Sequence, residues 1–258
     1  MASIGPTAHY TGEVWARNGL SHPELQTAGG RLLRVATDTA LLPLTLLGGP
    51  SLEGTLLARH ETIDAELEAA IASGTVGQVL EIACGMSPRG WRFTERHHGL
   101  VYVEADLPDM AARKREALDR IGRPSWHRVV EIDALADAGP RSLAAVVAAE
   151  LDPNQGTAII TEGLLNYLPR EAVCSLWAHI SAVADLYLSD LFVREDSPAL
   201  IGPAFSVLLS AFVRSRVSLH FADVAEATAA LVDAGFAEAE LLPAERVHVI
   251  RAVGSLAA

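Results

Sequence analysis

At 258 residues, half of them hydrophobic and 20% charged, the chain can bury a full core, which argues against disorder and favours one substantial domain over two small ones. A formal net charge of −12 argues against a nucleic-acid backbone as the main partner, because such binders carry basic patches. Cys84 and Cys174 form no spaced pair, so neither a disulfide framework nor a thiolate metal site is expected, and a reducing, cytoplasmic setting is.

Residues 1–75 are expected to form an N-terminal helical cap. Met1–Gly12 lacks a basic stretch followed by an apolar run, so no secretory leader is expected. Leu41–Leu47 is a short apolar run that Gly48-Gly49-Pro50 breaks. Over Glu53–Ser73, Leu56, Leu57, His60, Ile63, Asp64, Leu67 and Ile71 recur at three- and four-residue steps, which predicts a helix with Gly74 as its stop.

From Gly77 the pattern becomes strand and helix in alternation. Strands are predicted at Gln78–Ala83, Leu100–Glu104, Arg128–Ile132, Thr157–Thr161 and Ala184–Leu191, with helices at Met110–Ile121, Ser142–Glu150 and Arg170–Val183. Apolar strands alternating with helices imply an α/β fold with a mostly parallel sheet covered on both faces, the core spanning 76–193. Ser197–Val213 carries no charge. It falls short of the roughly 20 apolar residues a membrane helix needs and holds Gly202-Pro203, so 194–220 reads as a lid or substrate segment rather than a span. Residues 221–258 close the domain, with a helix at Phe221–Ala234 and strands at Ala239–Leu242 and Val247–Ala252.

In open α/β sheets ligands lie outside the carboxyl ends of the strands, and the unusual residues fall there. "VLEIACGMSPRG" takes a strand through Glu81 into a turn at Ala83 and Gly85, where small residues allow close backbone approach. It lacks the G-x-G-x-x-G that places a pyrophosphate on a helix N-terminus, which disfavours a nicotinamide-dependent oxidoreductase. "VYVEADLPDM" offers Glu104 and Asp106 where a ribose diol would lie, and a carboxylate suits vicinal hydroxyls. Asp133 is expected to end the third strand, beside Ala134, and Glu162 to follow the fourth, with Asn166-Tyr167 just beyond.

"HYTGEVWARNGL", "LEIACGMSPRG", "YVEADLPDM", "VVEIDAL" and "TEGLLNYLP" together resemble the leucine carboxyl methyltransferase-like family, which includes carboxyl O-methyltransferases of polyketide pathways. The resemblance runs from about His9 to Tyr167. It implies a Rossmann-like class I methyltransferase fold with an N-terminal helical extension, S-adenosylmethionine as cofactor and S-adenosylhomocysteine as product. It further implies that Arg17 pairs with the methionine carboxylate, Gly85 lies beneath the amino-acid moiety and Asp106 binds ribose with Glu104 as second candidate. Asp133 and Ala134 would flank adenine, and Glu162 would reach the methionine ammonium. Where the family often carries Gly-Ala-Gly, this chain has Ala83-Cys84-Gly85.

A carboxylate acceptor is ionised at neutral pH and needs no base, whereas a phenol or alcohol needs one. Among nine histidines, His9 and His60 are candidates, with Tyr10 and Tyr167 beside them. His22 lies in the same N-terminal region. No spacing suggests a metal site. Leu200–Val213 reads as an apolar acceptor pocket or, equally, as a core or homodimer helix. The expected partner is a small-molecule methyl acceptor, and the rival from another class is a non-catalytic scaffold of the same fold.

Overall fold

In the computed structural model of the chain, residues 6–27, 52–195 and 218–254 are described. Leu41–Leu47 and the uncharged run from Ser197 to Val213 lie outside them. The elements are α1 (Pro6–Arg17), α2 (Leu52–Ala72), β1 (Gln78–Ile82), α3 (Arg89–Arg96), β2 (Val101–Asp106), α4 (Pro108–Ile121) and β3 (His127–Glu131). Then follow α5 (Leu143–Glu150), β4 (Thr157–Thr161), α6 (Arg170–Ser181), β5 (Leu186–Leu191), α7 (Val224–Asp233), β6 (Phe236–Ala244) and β7 (Val247–Gly254).

The seven strands form one sheet in the order β3-β2-β1-β4-β5-β7-β6. β1 to β5 pair in parallel, and β7 runs antiparallel to both β5 and β6. The strand order reverses between β1 and β4, so the crevice at their carboxyl ends is where a ligand is expected.

β1, β4 and β5 are buried along their whole length, as central parallel strands must be when helices cover both faces. Alternate residues divide between the two layers. Leu80, Ile82, Val103 and Ile159 pack with Trp177, Ile180 and Leu231 from α6 and α7. Val79, Tyr102, Ala158 and Leu188 meet Ile63, Leu67 and Phe93 on the opposite face. Ile63 and Leu67 belong to α2, so this helix is a layer of the sandwich as well as part of the N-terminal region.

Two expectations need correction. The third strand ends at Glu131, not Asp133. Ile132 still bonds the Asp106 carbonyl, but the Asp133 amide turns to the Arg141 carbonyl, which pulls the chain out of the ladder. The final hairpin is longer than the short apolar runs suggested, since β6 begins at Phe236 and carries exposed Glu238 and Glu240 on its open face.

Candidate functional site

The loops after β1, β2, β3 and β4 meet at the carboxyl edge of the sheet. Ala83 and Gly85 both adopt left-handed backbone, with φ of 54° and 51°. For a residue with a Cβ this region costs about 1–2 kcal/mol, so the chain carries strain at Ala83 that a glycine would not. Ala83→Gly is expected to leave stability unchanged or raise it by about 1 kcal/mol, offset by the freer unfolded chain. A fall in the thermal midpoint would instead show that the Ala83 methyl is a packing contact.

Asp106, the last residue of β2, closes the turn. Its Oδ2 accepts the Gly85 amide at 2.8 Å and its Oδ1 the Leu107 amide at 2.7 Å. Burial raises its carboxyl above the usual aspartate value, against the pull of those two amides and of Lys114. Asp133 is exposed beyond β3, with Oδ1 taking the Leu135 amide at 3.2 Å, and Ala134 is half-buried beside it.

Glu81 and Glu104 face each other across β1 and β2, both fully buried, and each has its own cation. Glu81 accepts from Arg89 at 2.9 Å and from the Tyr102 hydroxyl at 2.7 Å. Burial pushes its carboxyl up despite Arg89, and the neighbouring Glu104 adds to the rise. Neither carboxylate opens toward the crevice.

Glu162, just past β4, is the centre of a buried ionic network. Oε1 takes Arg59 Nε at 3.0 Å, while Oε2 takes Arg89 Nη2 at 2.5 Å and lies 2.9 Å from His60 Nδ1. Burial would raise this carboxyl, but the charges of His60, Arg89 and Arg59 outweigh it and hold the group well below the usual carboxylate range. Arg59 reaches on to Asp190 in β5 at 2.8 Å, and Arg89 to Asp64 in α2 at 2.6 Å, where Arg92 also binds. Thus α2, α3 and strands β1, β4 and β5 are tied together by three arginines and four carboxylates around His60.

Of the candidates in the N-terminal region, His60 belongs to this network and Arg17 and Tyr10 lie away from it. Arg17 is exposed at the end of α1 and, among the described residues, reaches Glu53 at 3.5 Å. Tyr10 is buried against Val14 and Leu56. His60 is buried, with its ring 4.8 Å from that of Trp15. The His9 side chain lies outside the described residues. Tyr167 is half-buried, close enough to Arg59 to act on its charge.

Sequence reasoning missed Arg59, Arg89, Asp190 and Lys114. A signal existed for the network: His60 and Asp64 interrupt the apolar stripe of α2 and Asp190 places a charge in the buried strand β5, and such interruptions in a buried face require partners.

The sequence profile of the leucine carboxyl methyltransferase family matches residues 30–181. A Mycolicibacterium smegmatis protein named as a candidate S-adenosyl-L-methionine-dependent methyltransferase is 38% identical over 116 residues, covering 44% of this chain and 37% of its own. A Mycobacteroides abscessus protein of the same name is 38% identical over 47% of this chain and 38% of its own. The chain thus spans well under half the length of the curated relatives it matches. Among solved structures, magnesium protoporphyrin IX methyltransferase from Synechocystis with bound S-adenosylhomocysteine superposes with a TM-score of 0.54, at 16% identity, over 84% of this chain and 95% of that one. The S-adenosylmethionine-dependent methyltransferase SibL superposes with a TM-score of 0.54, at 18% identity, over 98% of this chain and 70% of that one. At such identities the likeness establishes the class I methyltransferase fold. Among the described residues, no helix is long and apolar enough to cross a membrane.

Proposed function

The chain belongs to the leucine carboxyl methyltransferase family, and from that premise we propose that it is an S-adenosylmethionine-dependent O-methyltransferase acting on a carboxylate or hydroxyl of a small specialised metabolite. The observation that carries the cofactor assignment is the pairing of Asp106 with the Gly85 and Leu107 amides. Each carboxylate oxygen is fixed by one N–H and keeps a lone pair for one of two vicinal hydroxyls. Leu107 and Leu135, 45% and 48% exposed, stand beside Asp106 and Asp133 and offer apolar surface to a flat base.

The cofactor supplies a methyl group already activated by its sulfonium. What remains for the protein is to align acceptor and methyl, which can account for roughly 7–11 kcal/mol of the barrier. Exclusion of water helps further. The candidate bases bear on the acceptor. His60 is occupied by Glu162 and Arg89, Tyr10 is buried, and His22 packs its ring on Trp91 while its Nδ1 accepts the Glu24 amide. None of these three is open to take a proton from an alcohol, while Tyr167 is half-buried beside Arg59 and the His9 side chain lies outside the described residues, so a carboxylate and a hydroxyl acceptor both fit what is described.

Calorimetry with S-adenosylmethionine and S-adenosylhomocysteine tests the reading. Wild type is expected to bind both, and Asp106→Ala, which removes two hydrogen bonds to a charged group, to bind them roughly a hundredfold more weakly. A folded wild type that binds neither would overturn the methyltransferase reading in favour of a non-catalytic scaffold.

A further inference from the structure

Behind the glycine turn lies a second set of buried charges. Lys114, on α4, is fully buried, and its ammonium donates to the Ser87 carbonyl, two residues beyond Gly85. The same ammonium lies 2.9 Å from Glu104 Oε1, and Glu104 Oε2 lies 2.9 Å from His127 Nε2. All three side chains are 0% exposed. The helix that follows the turn rests on this triad: a Cβ at Gly90 would come within 2.8 Å of both Glu104 Oε1 and His127 Nε2.

Stability alone does not account for such a group, because apolar residues of similar volume often serve as well as a buried ion pair. Its position is more telling. Ser87 is held at three points: its amide donates to the Cys84 carbonyl, its hydroxyl accepts the Arg89 amide and its carbonyl takes Lys114. These bonds set the shape of the turn between Gly85 and α3.

We propose that Lys114 is a positioning residue for cofactor binding, pinning the Ser87 carbonyl so that the turn presents Gly85 and Asp106 in the arrangement that receives a ribose diol. The inference rests on the assignment of Asp106 above. It is supported by a second effect of the same ammonium, which opposes the rise that burial imposes on the Asp106 carboxyl and so favours its charged form.

The test measures S-adenosylhomocysteine affinity and urea midpoints for wild type, Lys114→Met and the double variant Lys114→Met with Glu104→Gln. The double variant leaves neither partner of the ion pair as a lone buried charge, so it keeps its fold if the single variant does not. A folded variant of either kind is expected to bind roughly ten- to a hundredfold more weakly than wild type. In Lys114→Met the affinity should also fall away at a higher pH on acidification, a shift that a purely structural lysine would not produce. Wild-type affinity in the folded double variant would overturn this inference alone. Absence of binding by wild type would overturn the proposed function, and this inference with it.

Discussion

Replacing Arg89 by methionine is expected to destabilise the folded chain by about 3–5 kcal/mol, the cost of removing one partner from a buried ion pair. The upper end of that range applies here, because Arg89 is fully buried and serves Glu81, Asp64 and Glu162 at 2.9, 2.6 and 2.5 Å. Its guanidinium is held charged: burial lowers its proton affinity, but the fields of Glu162, Asp64 and Glu81 outweigh that and raise it well above the ordinary value. Against a typical domain stability of about 5–15 kcal/mol, the loss is a large fraction of the whole. Urea unfolding at pH 7 reads it. Arg89→Lys should recover only part, since an ammonium cannot fork to three carboxylates in the guanidinium plane. A loss below about 1 kcal/mol for the methionine variant would mean that the carboxylates are solvated rather than held by Arg89.

The sheet was legible in the sequence because its strands are short apolar runs separated by helices, and β4 is found where Thr157–Thr161 predicted it. Boundaries slipped where tertiary contacts override local pattern, as at Asp133, where a turn to Arg141 ends the ladder two residues early. The helix α3 went unpredicted because its eight residues carry three arginines and a glutamate with no apolar repeat; Arg89, Gly90, Phe93 and Thr94 are buried and Trp91 packs half-buried against the cluster holding Met86 and Met110. For the candidate site, the turn at Gly85 and the strand-end position of Asp106 were legible, because a glycine after one strand and an acid at the end of the next suffice to suggest them. The ionic network was not, because its pairs join residues as far apart as Arg59 and Asp190. A charge in an amphipathic pattern is read as solvated unless its partner is known. Arg17 illustrates the converse: its motif is legible, but in this structure the side chain lies at the surface against Glu53.

Glu162→Gln is expected to remove a share of stability that depends on acidity, and this separates what Glu162 holds from what it binds. The folded-state carboxyl is depressed well below its ordinary value. Its contribution is therefore fully present at and above the ordinary carboxylate range, and is lost as pH falls through the depressed folded value. At pH 7 the glutamine variant should be less stable than wild type by about 3 kcal/mol, because Arg59 and Arg89 lose a buried counter-charge. As the pH falls the gap should narrow, since the wild-type carboxyl becomes protonated while the amide does not titrate. Urea midpoints taken from neutral pH downward follow this directly, and a gap of constant size would show that the charge of Glu162 is not what the arginines hold. The same variant bears on the expected ammonium contact. Arg59 and Arg89 donate to the carboxylate and His60 Nδ1 lies against it, and a carboxylate accepts about four hydrogen bonds, which leaves it capacity for a ligand donor. Loss of stability with S-adenosylhomocysteine affinity intact would make Glu162 a structural hub alone; loss of both would fit a carboxylate that also serves the ligand.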